Sequence, residues 1–255
     1  MTPERPWILL RGLTREARHW GDFPQRLGEA FPGAPVICLD LPGNGRLNAQ
    51  PSPGSVEGMA DFCHAELVRQ GIASPCRVLA MSLGAMVAVA WAQRHPQDLA
   101  AAVLINTSLR PFSPWFRRLR PANYPLLLRL FALPVSERGK EAAILRMTTR
   151  LVADPDAVIA QWLQWRRESP VSRKNAFRQL FAAARYRAPR VPPLSRLLLL
   201  ACERDALVHV ECSLRLAMQW NAPLVLHPSA GHDVPLDDPS WVLEQLGSWL
   251  DTAGA

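Results

Sequence analysis

The run Val78-Leu79-Ala80-Met81-Ser82-Leu83-Gly84-Ala85-Met86 decides how this chain is read. A short apolar stretch of strand character ends at Ser82, and an Ala-rich stretch with helical spacing, Leu83 to His95, begins on the next residue. A chain that passes from strand to helix through one residue must turn sharply, and the turn exposes that residue's side chain where the strand ends. The helix that follows brings free amides and the positive end of its dipole to the same place. Small residues are needed two before and two after the Ser, because the turn crowds those positions against backbone. Gly84 meets this need, and Ala80 stands where a second Gly is usual. Taken alone, A-x-S-x-G is a weak signal, since a Ser that opens a helix is most often a plain cap.

Outward from this run the pattern is alternation. Trp7 to Leu10, Val36 to Leu41, Arg77 to Met81 and Ala101 to Ile105 read as short strands, with helical spacing over Gly21 to Phe31 and Ser55 to Gln70 between them. Strands alternating with helices predict a parallel sheet. From Ser108 the strand signal stops, and Leu126 to Leu133, Glu137 to Val152, Pro155 to Arg167 and Ser172 to Tyr186 read as helices. Asp154 before Pro155 is a strong helix start: the carboxylate accepts orphan amides, and Pro has no N–H to lose. The sheet pattern resumes at Leu194 to Ala201 and Leu224 to Leu226, each followed by a helix, Val208 to Trp220 and Ser240 to Thr252. The expectation is an α/β core formed by residues 1–107 and 191–255, interrupted by a helical cap over 108–190.

Composition bounds the function. At 255 residues, about half apolar, the chain suits one domain or one domain with an insertion. No apolar run approaches the roughly 18 to 20 residues that span a bilayer, and the first apolar stretch is too short for a signal-peptide core. Five cysteines without CxxC spacing (Cys38, Cys63, Cys76, Cys202, Cys212) read as reduced core residues of a cytoplasmic protein rather than a disulfide or zinc framework. The net charge of +7 is unevenly spread. Residues 108–190 hold 15 Arg and 2 Lys against 5 acidic residues, a surplus of 12 that leaves the remainder at −5. Basic residues scattered over amphipathic helices without a binding motif rank nucleic-acid binding low. Gly43-x-Gly45 lacks the third Gly of a dinucleotide fingerprint and reads as the loop after the second strand. No His set has metal-ligand spacing, so no metal is expected.

A serine nucleophile needs a base to take its proton and an acid to orient that base, here in the order Ser, Asp, His. Asp205 follows the strand pattern ending at Cys202, and His232 follows the last strand in Gly231-His232-Asp233. Both fall where strands end, the side on which open α/β sheets bind ligands. Glu203 and Asp233 are rival acids; the first sits too close to its strand, and the second is adjacent to the His.

These landmarks together resemble the α/β-hydrolase superfamily from end to end: Arg11-Gly12 with Trp20, Asp40-Leu41-Pro42-Gly43-Asn44-Gly45, the Ser82 elbow, Asp205, and Gly231-His232. The resemblance implies a mostly parallel sheet flanked by helices, shortened to about six strands because almost no room precedes Trp7, with an inserted four-helix cap. It implies Ser82, Asp205 and His232 as catalytic residues, the Leu13 and Leu83 amides as the oxyanion hole, and no cofactor. Arg11 stands where the family has His, and a cation there invites contact with substrate. Trp115, Trp162, Trp165, Phe131, Phe177 and Phe181 could line an acyl pocket, although packing within the cap explains most of them. The basic cap is suited to an anionic carrier such as acyl carrier protein or coenzyme A, and resembles the biotin-synthesis carboxylesterases that demethylate a pimeloyl-carrier ester. A generic esterase fits as well. The alternative from another class is a small-molecule receptor or interaction protein of the same fold with little turnover.

Overall fold

The computed structural model describes residues 4–252, apart from the side chains of residues 130–132. Six strands, β1 (Trp7–Leu10), β2 (Val36–Leu39), β3 (Cys76–Met81), β4 (Leu99–Ile105), β5 (Leu197–Cys202) and β6 (Leu224–His227), form one sheet in the order β2-β1-β3-β4-β5-β6. Every pairing is parallel. A parallel sheet is covered on both faces, so its strands are apolar almost throughout, Arg77 and His227 toward the strand ends being the exceptions, and alternate residues supply two cores. Ile8, Leu10, Val78, Ala80 and Leu104 pack with α2 (Val56–Arg69), α3 (Leu83–Arg94) and α9 (Glu211–Trp220). Trp7, Leu9, Leu79, Met81, Val103 and Ile105 pack with α1 (Phe23–Ala30) and α11 (Pro239–Asp251).

Between β4 and β5 run α4 (Trp115–Arg118), α5 (Tyr124–Ala132), α6 (Glu137–Thr148), α7 (Pro155–Glu168) and α8 (Arg173–Arg185). The single-turn α4 precedes the four longer helices that the spacing predicts. Asp154 caps α7 as expected, accepting from the Ala157 amide at 2.9 Å. Two boundaries differ from expectation for local reasons. β2 stops at Leu39 because Asp40 leaves the sheet to accept from the amides of Ala17 and Arg46. α6 stops at Thr148, short of Val152: the hydroxyls of Thr148 and Thr149 bond back to the Ile144 and Leu145 carbonyls, and the Thr148 carbonyl takes the Asp233 amide at 2.7 Å. The first predicted helix is α1, which lies inside the expected Gly21 to Phe31, and a 3-10 turn at Ala17–Trp20 precedes it. All five cysteines are free. Among the described residues no helix is long and apolar enough to cross a membrane.

Candidate active site

Ser82 joins β3 to α3 at φ 55° and ψ −117°, backbone that a residue with a side chain seldom adopts. Its amide donates to the Ile105 carbonyl at 2.9 Å and its carbonyl accepts from Thr107 Oγ1 at 3.3 Å, so the neighbouring strand end holds the turn. The Ser82 side chain makes no capping bond to α3, which removes the plain-cap alternative. The amide of Leu83, first residue of α3, therefore has neither an intrahelical acceptor nor a side-chain cap. Gly84 is required by close approach: a Cβ there would stand 2.6 Å from the backbone oxygens of Leu10 and Arg11. Gly12 faces the hydroxyl itself, since a Cβ there would lie 3.1 Å from Ser82 Cβ and 3.6 Å from Oγ. Leu13 follows directly, in a turn closed by the Arg15 amide on the Gly12 carbonyl at 3.2 Å.

Asp205 and His232 come together from separate strand ends. His232 Nδ1 lies 2.7 Å from Asp205 Oδ2, and both residues are buried. The second oxygen, Asp205 Oδ1, accepts from the amides of Leu207 at 2.7 Å and Val208 at 2.9 Å, which fixes the carboxylate plane. Arg120 reaches back from the α4–α5 connection to the Asp205 carbonyl at 2.8 Å. Of the rival acids, Glu203 is exposed and Asp233 turns away to Arg11.

Several supporting residues carry no sequence signature. Asn106, at φ 46°, is buried at the end of β4. Its Nδ2 donates to the His232 carbonyl at 2.8 Å, and its Oδ1 accepts from the Cys202 amide at 2.9 Å. One side chain thus ties the His loop to the strand that leads to Asp205. Asp237, in the single-turn α10 (Val234–Asp237), accepts from the amides of Gly231, Arg150 and Leu151. Burial raises its pKa, and these amides pull against that rise.

The residues expected to touch a ligand through their chemistry fall in three different settings. Arg11 is buried in a two-point ion pair with Asp233, at 3.0 and 2.5 Å, and lies over the Trp20 ring at 4.7 Å. Both terminal nitrogens of its guanidinium therefore face Asp233. Trp162 is buried under the Arg15 guanidinium at 4.1 Å and beside His19. Burial, and then the nearby Arg15 charge, hold the His19 imidazole well below its usual pKa. Trp115 is 67% exposed and lines an open cavity of about 700 Å³ with Arg110, Arg118, Arg187 and Arg215. Phe177 and Phe181 are 54% and 57% exposed, and the Arg185 guanidinium lies over the Phe181 ring at 5.0 Å. The side chain of Phe131 lies outside the described residues.

A doubly covered parallel sheet with a half-buried Ser of positive φ at the strand-to-helix elbow defines an α/β protein of the hydrolase fold. The sequence matches the Alpha/beta hydrolase family over residues 7–245, and the chain belongs to that family. No curated protein matches it. Among solved structures it is similar to a thermophilic esterase from Thermogutta terrifontis, with 22% identity, a TM-score of 0.73, and coverage of 98% of this chain and 90% of that one. It is also similar to a 2-hydroxy-6-oxo-6-phenylhexa-2,4-dienoate hydrolase from Rhodococcus, with 18% identity, a TM-score of 0.77 and coverage of 98% and 92%. A hydrolase from Pseudomonas aeruginosa gives 18% identity, a TM-score of 0.73 and coverage of 98% and 91%. At these identities the likeness is one of fold.

Proposed function

We propose that this chain is a serine hydrolase that cleaves a carboxylic ester or thioester through an acyl-enzyme. The observation that carries the reading is the buried His232–Asp205 contact at 2.7 Å, in a protein whose strand-to-helix Ser leaves its helix uncapped. Ser82 Oγ attacks the carbonyl carbon while His232 takes its proton; the tetrahedral oxyanion collapses, and the leaving alcohol or thiol departs with that proton. Water then repeats the sequence on the acyl-enzyme and releases the acid. Asp205, with one oxygen on two amides and the other on Nδ1, holds the imidazole so that Nε2 is the proton-accepting nitrogen. The amides of Leu13 and Leu83 receive the developing oxyanion, a contribution of several kcal/mol in enzymes of this kind. No cofactor enters this route.

In this reading residues 108–190 form a cap on a core of 1–107 and 191–255, and the cap selects substrate. The uneven charge supports an anionic carrier, acyl carrier protein or coenzyme A, with the methyl ester of a carrier-bound acyl chain in biotin synthesis as the most specific form. The five free thiols accord with a reducing cytoplasm. Ser82→Ala is expected to lower kcat on any ester the native protein cleaves by at least about a thousandfold. Full turnover by that variant sinks the mechanism. Stable ester binding without repeated turnover by the native protein favours the receptor alternative.

A further inference from the structure

α8 is packed inside out. Its buried positions include Asn175 and Gln179, whereas Phe177 and Phe181 are more than half exposed. Hydrophobic burial would turn the helix the other way, and burying an amide is costly unless its hydrogen bonds are met. Here they are met by the loops after β1 and β2. Asn175 accepts from the Ser52 amide at 3.0 Å and donates to the Gln50 carbonyl at 3.0 Å. One turn further on, Gln179 is fully buried. Its Nε2 donates to Asn44 Oδ1 at 2.8 Å and Ser52 Oγ at 2.9 Å, and its Oε1 accepts from the Thr14 amide at 2.9 Å.

Thr14 is the residue after Leu13, and its φ is 55°. A β-branched residue in the left-handed region is strained and persists only where its surroundings impose it. Gln179 supplies the acceptor that holds the Leu13–Thr14 peptide in this orientation. The Gly12 carbonyl, in the same peptide unit as the Leu13 amide, is held by the Arg15 amide, and Asn44 steadies Arg15 by donating to its carbonyl at 3.0 Å. Gln179 and its partner Asn44 therefore brace the turn from both ends.

We infer that Gln179 is a positioning residue: from α8, through Thr14, it holds the turn that presents the Leu13 amide to the oxyanion. The helical segment between β4 and β5 then sets the rate of the chemical step as well as access to it. This rests on the hydrolase reading above. A group that aims an oxyanion donor acts in the transition state, so its loss lowers kcat and leaves KM nearly unchanged.

The test compares native protein, Q179L, Q179E and S52A on a chromogenic ester, with active sites counted by a fluorophosphonate probe. Q179L is expected to lose about tenfold or more in kcat per labelled site, with KM within about twofold, less than the roughly 100-fold cost of deleting an oxyanion donor outright. Q179E keeps an acceptor for the Thr14 amide and is expected to recover most of kcat, although its own thermal stability falls. S52A loosens Gln179 from the far side and is expected to lower kcat severalfold at unchanged KM; it carries the test if Q179L does not fold. Unchanged kcat per site in Q179L or S52A overturns the inference, as does a Q179E variant as slow as Q179L. Failure of the probe to label Ser82 in the native protein overturns the hydrolase reading instead, so the two failures are distinct.

Discussion

Arg11 and Asp233 meet as a buried, two-point ion pair directly before the turn that carries Leu13 and directly after His232. Such a pair contributes little net stability against an apolar replacement, but removing one partner strands a charge, at a cost of about 3–5 kcal/mol. Arg11→Met is thus expected to destabilise the fold by that amount, and Arg11→Met with Asp233→Leu to regain most of it in denaturant unfolding. Equal, additive losses in the two single variants and the double would contradict the pairing. Arg11 therefore links the turn that carries Leu13 to the His loop from within the protein. Its identity was plain in the sequence, but its role was not, because the partner lies 222 residues away.

The elements that position the candidate site are strand ends, and the His loop shows how tightly they are fitted. A Cβ on Gly231 would stand 2.7 Å from the Thr148 carbonyl and 3.0 Å from Thr149 Cα, both backbone at the end of α6. Gly231→Ala must push the His loop off α6, and we expect a loss of about 1–3 kcal/mol together with a fall in kcat. A variant with native melting temperature and native kcat would show that α6 does not brace His232. The same elements explain what was legible beforehand. All six strands followed from apolar runs, because a doubly covered parallel sheet writes itself as continuous hydrophobic segments, whereas Ser82, Asp205 and His232 were singled out by matching strand ends to the order that the hydrolase pattern requires. Asn106, Asp237 and Gln179 had no such signal, since a buried amide or carboxylate looks like any polar residue until its long-range partners are known. Phe177 and Phe181 misled for the complementary reason: helical spacing marks a stripe, and here α8 turns its amides inward.

Over the whole molecule the positive charge is concentrated in one segment, and Arg110, Arg118, Arg187 and Arg215 surround a single cavity beside Trp115. Arg110 and Arg118 also donate to the α8 carbonyls at Ala183 and Ala184, which fixes them in place without neutralising them. If this charge steers an anionic carrier, kcat/KM for a carrier-bound ester will fall as salt shortens the screening length from about 10 Å at 0.1 M to about 3 Å at 1 M, while a neutral ester of the same acyl group changes little. Equal rates and no salt effect would remove the carrier from the account. The expectations for catalysis depend on Ser82 being the nucleophile, and the most direct test is mass spectrometry of the protein after reaction with a fluorophosphonate. One adduct is expected, on Ser82, formed much more slowly in His232→Gln and absent in Ser82→Ala. An adduct on another residue, or labelling undiminished in Ser82→Ala, would contradict Ser82 as the nucleophile.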